Sequence, residues 1–247
     1  MMNLEGAVAL VTGASGGIGE ALAVDLQAEG ASVVLFARRE AELKRVLGRL
    51  DADRAAIVVG DVAVRADIER AVQVAEERFG GLDLLINNAG VAVVARISDV
   101  PIELLDRGWR TNVLGPILAV QAATPALRRR GGGMIVNISS GMSLRPSATM
   151  GIYSMTKAAL NVISASLRVE LAEDNIRVMT VFPGLIANDF GRNSLAADER
   201  LVADRRATSR TRSSRTSEDA SRDIIAAIKA DQNVFRANPE QSLEVPL

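Results

Sequence analysis

Thr12-Gly13-Ala14-Ser15-Gly16-Gly17-Ile18-Gly19 stands between an apolar run, Ala7–Thr12, and the first stretch of helical period, Gly17–Glu29, and its reading decides the fold. A glycine-rich turn from strand to helix leaves backbone N–H groups unpaired and aims the positive end of the helix at whatever binds there. Glycine lets the chain turn tightly and lets an anion approach the main chain with no Cβ in the way. This is the arrangement that holds a pyrophosphate in dinucleotide-binding βα units. The same stretch contains Gly13-Ala14-Ser15-Gly16-Gly17, a formal match to the G-x-S-x-G elbow of hydrolases. The chain has no His, so Ser15 has no base with which to complete a triad. No Gly-Lys-Ser/Thr follows, which leaves a nucleoside-triphosphate loop unsupported.

Outward from the loop, short runs rich in Val and Ile alternate with helical stretches. Predicted strands are Ala7–Thr12, Ser32–Ala37, Ala56–Gly60, Leu82–Asn87, Met134–Ser139 and Arg177–Pro183. Predicted helices are Gly17–Glu29, Glu40–Leu50, Arg65–Phe79, Pro101–Arg129 and Tyr153–Glu173. Strands apolar on both faces, separated by helices, imply a doubly wound parallel α/β sheet in three layers. No composition break or Pro-rich linker interrupts the alternation, so residues 1–247 are expected to form one domain. The pattern decays near Asn188. From there to Arg222 the chain is polar and Arg-rich, and a short helix follows with Thr216 or Ser217 as its N-cap and Ile224, Ile225 and Ile228 as its apolar stripe. The tail 238–247 has no clear periodicity.

Composition narrows the chemistry. With 29 Lys+Arg against 30 Asp+Glu, no overall field invites nucleic acid or an anionic membrane. Zero Cys and zero His exclude disulfides, thiolate nucleophiles, Cys/His zinc sites and every His-dependent triad. No metal site is expected. Acid–base work must fall to Tyr, Lys, Asp, Glu or a bound cofactor. No apolar run approaches the roughly 18–20 residues that span a bilayer. Met1–Gly6 lacks a basic leader, so a cytoplasmic protein is expected.

Tyr153 and Lys157 lie four apart on a predicted helix and project from one face. A phenol of pKa about 10 is a poor base at neutral pH, but an adjacent ammonium favours the phenolate. In the reverse direction the phenol gives its proton to a forming alkoxide. Within the longest predicted helix, Pro116 has no N–H to offer the carbonyl of Asn112, and Gly115 eases a kink there. Ala37, at the end of the second predicted strand, stands where an acidic residue would bind the adenosine ribose hydroxyls and select NAD. Arg38 and Arg39 follow it instead, and guanidinium suits a ribose 2′-phosphate.

The glycine loop with its T-G-x-x-x-G-x-G spacing, Asn87-Asn88-Ala89-Gly90 and Tyr153-Ser154-Met155-Thr156-Lys157, in that order, resemble the short-chain dehydrogenase/reductase family over roughly the first 190 residues. The resemblance implies an oxidoreductase that moves a hydride between a nicotinamide cofactor and a small carbonyl or secondary alcohol. It gives Tyr153 and Lys157 their catalytic roles and assigns Ser140 to hydrogen-bonding the substrate oxygen, with Ser139 as the neighbouring alternative. Asn112 matches the position whose carbonyl holds a relay water. The cofactor would contact Gly13, Ser15, Gly17, Ile18 and Gly19; Asp61 and Val62 on the adenine side; Asn88, Ala89 and Gly90 along the cleft; and Pro183, Gly184, Ile186 and Asn188 beside the nicotinamide. Asn188 replaces the usual threonine. Residues 189–219 match the variable substrate lid, whose arginines are either an anion site or a solvated face. The arginines at 38 and 39 resemble the NADP-preferring branch, so NADP(H) is the expected cofactor, with NAD use or a catalytically silent cofactor-binding regulator as alternatives. The family's usual last strand, with its terminal glycine-rich sequence, is not recognisable. Tyr153–Glu173 and Leu118–Leu127 are apolar around much of their circumference, which calls for cover on more than one side; the resemblance implies that these helices pair across a two-fold axis, so a homodimer or homotetramer is expected.

Overall fold

The computed structural model describes residues 1–145, 147–187, 190–191, 194–198 and 215–237. In chain order the elements are β1 (Val8–Thr12), α1 (Gly17–Ala28), β2 (Ser32–Ala37), α2 (Glu40–Leu47), β3 (Ala55–Val59), α3 (Arg65–Phe79), β4 (Leu84–Asn87), β5 (Val93–Val94), α4 (Ile102–Trp109), α5 (Gly115–Arg129), β6 (Gly133–Ile138), α6 (Gly151–Glu170), β7 (Ile176–Phe182), β8 (Leu195–Ala196), α7 (Ser217–Lys229) and β9 (Val234–Arg236). Seven strands form one sheet in the order β3-β2-β1-β4-β6-β7-β9, parallel throughout. This is a doubly wound, Rossmann-like α/β fold.

Strand alternation builds the three layers. Ala9 and Val11 of β1, with Val33 and Leu35 of β2, pack under Leu22 and Leu26 of α1, Leu43 and Val46 of α2, and Ile224 and Ile228 of α7. Val8, Leu10, Val34 and Phe36 face the other way, toward Ile68 and Val72 of α3 and Ala119, Ala123 and Leu127 of α5. Because successive side chains point to opposite faces, a strand covered on both sides must be apolar along its covered length, as β1 is from Val8 to Val11 and β2 from Val33 to Ala37. Strand order reverses at β1, whose Val11 lies across from Leu35 of β2 on one side and Ile86 of β4 on the other. The loops after β1 and β4 therefore part at this switch point and open a crevice at the carboxyl edge. No helix among the described residues is long and apolar enough to cross a membrane.

Three departures from the sequence reading have local causes. The helix expected over Pro101–Arg129 is broken: Arg110–Leu114 forms a π-helical turn, closed by Gly115 N–H donating to Arg110 O. Pro116 removes the α-type bond to the Asn112 carbonyl, and a π turn is the usual way for a helix to absorb such a loss. A last strand does exist. Val234–Arg236 pairs with β7, following a turn in which Asp231 takes φ 60°. At three residues it is too short for period-two alternation to reveal. Finally, Val93 and Val94 pair in parallel with Leu195 and Ala196, a ladder too short for any sequence signal.

Three buried polar side chains cross the sheet toward α6. Asn87 Nδ2 donates to Asn137 Oδ1 at 2.9 Å, Asn137 Nδ2 donates to Ser164 Oγ at 2.8 Å, and Ser164 Oγ donates to the Leu160 carbonyl at 2.7 Å. Such a chain stabilises only while every member is paired. Asn137→Val strands the Asn87 amide, and the urea midpoint should fall by the equivalent of about 1–3 kcal/mol with an unchanged m-value.

Candidate active site

Thr12 joins the two sides of the crevice. Its Oγ1 donates to the Ile86 carbonyl at 3.1 Å and accepts from Asn88 N–H and Ala89 N–H, each at 3.0 Å. Asn88 returns the contact, its Nδ2 donating to Thr12 O at 2.9 Å and Gly13 O at 3.3 Å. Two glycines permit this closeness. Gly13 has φ 68°, and a Cβ on it would lie 2.8 Å from Ala89 Cα; a Cβ on Gly19 would lie 2.5 Å from the Gly13 carbonyl oxygen. Asn88, Ala89 and Gly90 thus line the same crevice as the loop. The first turn of α1 begins at Gly16 with no side-chain cap, so its N–H groups face outward.

At the end of β2, Ala37 is buried and Arg39 reaches back to the glycine loop. Arg39 Nη2 donates to Ser15 Oγ at 3.0 Å and Ser15 O at 3.4 Å. Arg38 lies 3.9 Å from an Asp61 carboxylate oxygen, with its side chain 65% exposed. Asp61 Oδ1 accepts from Ala63 N–H at 2.9 Å, fixing the turn that carries buried Val62. A solvated pair at the Arg38–Asp61 distance holds neither partner firmly.

The other end of the crevice is formed by α6. Lys157 is 3% exposed, and its Nζ donates to the Ile138 carbonyl at 2.8 Å. Burial pushes its pKa down from the usual lysine value to about 8, so it stays largely protonated at neutral pH. Gly90 faces it closely: a Cβ there would lie 3.5 Å from Lys157 Nζ and 3.4 Å from Asn112 Oδ1. Asn112 is fully buried, and its side chain is spent on structure. Its Oδ1 accepts from Val91 N–H at 2.8 Å, while its Nδ2 donates to Val91 O at 2.8 Å and Thr156 Oγ1 at 3.0 Å. Only its main chain is left for any relay. Tyr153 is buried among Ala92, Val94 and Met150, with Met142 and Ala196 alongside, and the Phe190 ring stands 5.9 Å away at 56°.

The two serines after β6 separate clearly. Ser139 is buried and its Oγ donates to Asn161 Oδ1 at 2.5 Å. Ser140 is half-buried, and its Oγ accepts from Met142 N–H at 3.2 Å, which leaves the hydroxyl hydrogen to donate elsewhere. Geometry therefore favours Ser140 over Ser139 as a donor to a ligand. Pro183 and Ile186 are buried beyond β7, with Gly184 at φ 79° between them. Asn188 and most of the 189–219 segment lie outside the described residues. Of its arginines Arg215, 27% exposed, pairs with Asp223, and just beyond the segment Arg222 lies 2.5 Å from Asp219. Thr216 is the N-cap of α7, in a capping box with Asp219.

The sequence motifs include Thr12 without giving it a role, and they contain neither Phe190 nor Asn161. A hydroxyl at a strand end and an amide one turn beyond Lys157 were visible signals; the lone aromatic at 190 was not, because its partner is distant in sequence.

Lys157 carries a linkage signature. Its folded-state pKa lies below the unfolded chain's, so between about pH 8 and pH 10.5 the unfolded chain binds the proton more readily and stability rises with pH. Below that window the burial penalty is fully present. Urea melts of the cofactor-free Lys157→Met variant should show it gaining on wild type by up to about 3 kcal/mol at pH 7, with the gap narrowing as pH rises to 10. A gap independent of pH would contradict this account.

Comparison with known proteins agrees with this geometry. The family model described as short chain dehydrogenase matches residues 7–199. An uncharacterized oxidoreductase of Staphylococcus aureus strain MW2 is 36% identical over 72% of this chain and 78% of its own length. A short chain dehydrogenase/reductase of Burkholderia phymatum, solved in complex with NAD, superposes with a TM-score of 0.88 at 24% identity, over 95% of this chain and 89% of that one. A 3-ketoacyl-(acyl-carrier-protein) reductase of Brucella melitensis, complexed with NADH, gives 0.83 at 28% identity, over 94% and 96%. With fold, crevice and family model in agreement, this chain belongs to the short-chain dehydrogenase/reductase family and is an oxidoreductase of that family.

Proposed function

We propose that this protein is an NADP(H)-dependent oxidoreductase acting on a small carbonyl or secondary alcohol, with Tyr153 as its acid/base. The observation that carries the reading is the buried Lys157 ammonium one helical turn from Tyr153. A cation removed from water is costly, and a fold keeps one where its charge is used. Residues 1–247 form the dinucleotide-binding and catalytic unit, with 189–219 as substrate lid.

The crevice suits a dinucleotide. Gly13 and Gly19 leave no Cβ in the cradle, and the first N–H groups of α1 face it without a side-chain cap. Gly17, Ile18 and Ser15 complete the phosphate side; Asp61 and Val62 border the adenine; Asn88, Ala89 and Gly90 line the middle; Pro183, Gly184 and Ile186 flank the nicotinamide, to which the family resemblance also assigns Asn188. Of the three Lys157 N–H donors, one goes to Ile138 O, which leaves others for the nicotinamide ribose. When bound, the nicotinamide donates or accepts the hydride. The Tyr153 hydroxyl gives its proton to the substrate oxygen as that oxygen becomes an alkoxide, and removes it in the oxidation direction. Ser140 donates a hydrogen bond to the same oxygen, and the Lys157 charge favours the Tyr153 phenolate. Asn112, through its carbonyl, holds the water that returns the proton to Lys157.

Preference for NADP(H) over NAD(H) rests on two guanidinium groups at the end of β2 where a carboxylate would repel a 2′-phosphate. Arg39 already lies over Ser15, and Arg38 is bound only loosely by Asp61. Assembly into a homodimer or homotetramer is supported by Met155, Val162 and Val169, exposed at intervals of seven along α6.

A panel of ketones and aldehydes with NADPH, followed by loss of reduced-nicotinamide absorbance, should reveal turnover that Tyr153→Phe lowers about 100- to 10,000-fold while NADPH binding persists. Retained turnover in that variant would remove Tyr153 from the mechanism. Arg39→Asp should shift the ratio of kcat/KM values toward NADH by about tenfold or more; an unchanged ratio would mean that the preference is set elsewhere.

A further inference from the structure

Tyr153, Lys157 and Asn161 recur every fourth residue of α6, so a hydroxyl, an ammonium and an amide share one helical face. The third has no part in the mechanism above, yet it bridges α6 to the turn that leaves β6. Asn161 Oδ1 accepts from Ser139 Oγ at 2.5 Å, and its Nδ2 donates to Ser143 Oγ at 2.9 Å. Ser143 Oγ passes the link on, donating to the Ser140 carbonyl at 2.6 Å. The turn then closes through Met142 N–H, which donates to Ser140 Oγ. Ser140 is held from three directions: through its neighbour Ser139, through its own carbonyl, and through its hydroxyl.

The links have a direction. Asn161 must accept on one atom and donate on the other, which an amide does and a carboxylate or an aliphatic side chain cannot. Ser139 and Ser143 are both buried, so water does not readily replace a lost partner. Asn161 rides on the helix that carries Tyr153 and Lys157, so this link sets the distance between that helix and the serine turn.

We infer that Asn161 is a positioning residue, holding the Ser140 hydroxyl in register with Tyr153 by tying the 139–143 turn to α6. The inference rests on the reading of Ser140 as donor to the substrate oxygen. Displacing a reacting group by about 1 Å costs on the order of 100-fold in rate, so a positioning residue acts on kcat without touching the cofactor.

Asn161→Asp tests it, because the change keeps the size and the acceptor for Ser139 but removes the donor to Ser143. The expected result is a kcat lowered about 10- to 100-fold with NADPH affinity unchanged. Combined with Ser140→Ala, the variant should be no slower than Ser140→Ala alone, since both act through one hydroxyl. Amide exchange at Met142 and Ser143 in the cofactor-free protein should quicken, a readout that needs no turnover. Ser143→Ala cuts the same link from its other end and should reproduce the kcat loss if Asn161→Asp fails to fold. A wild-type kcat in the Asn161 variant, or a loss that multiplies on top of that of Ser140→Ala, overturns the inference. If Ser140→Ala is slowed and Asn161→Asp is not, this inference alone fails. If Ser140→Ala is as fast as wild type, the role given to Ser140 fails and takes the inference with it.

Discussion

The Lys157 ammonium is held out of water at the carboxyl edge of the sheet, with the carbonyl at the end of β6 as its partner. Burying that charge works against folding, since transfer from water is not repaid by a single hydrogen bond. The surrounding structure is arranged to bear the cost. Gly90 leaves room beside the Nζ, Asn112 locks the neighbouring loop through Val91, and Thr156 joins Asn112 to the helix. What results is a cation in a low-dielectric setting, where its field is far stronger than it would be in water.

The crevice itself follows from topology. A parallel sheet that winds both ways from β1 must part its loops at β1 and β4, and Thr12 stitches that parting with one hydroxyl. The glycine loop and the Asn88–Gly90 loop are then close enough that side chains at Gly13 or Gly19 would collide with the facing backbone or with Asn88. Crevice lining and structural seam are the same atoms. At the far end, Tyr153 lies buried under small and flexible apolar residues and beside the Phe190 ring.

Much of this was legible in the chain. Strands apolar on both faces, helices of regular period and a glycine loop between the first pair imply the fold through local rules alone. The Tyr153–Lys157 pair was legible because helical spacing of four fixes a shared face. Pro116 likewise announced a break near Asn112, although not its form, a π turn closed from Gly115 to Arg110. Illegible were the contacts whose partners are remote: the Val93–Leu195 ladder, the seating of Phe190 against Tyr153, and the three-residue β9. Each is shorter than any periodicity, and each is stabilised by a neighbour that the local sequence does not specify.

The choice between Ser139 and Ser140 marks the boundary well. Two adjacent serines at a strand end look alike to local sequence rules, and only the family resemblance prefers Ser140. Packing separates them, because the Asn161 amide captures one hydroxyl and the Met142 N–H leaves the other able to donate. The sequence by itself determined the layers, the crevice and the residue types available for proton transfer, because these follow from periodicity and from the absence of His and Cys. Only the tertiary structure decided which hydroxyls are spent on holding the fold and which remain for chemistry, because a hydrogen-bond partner is set by proximity in space.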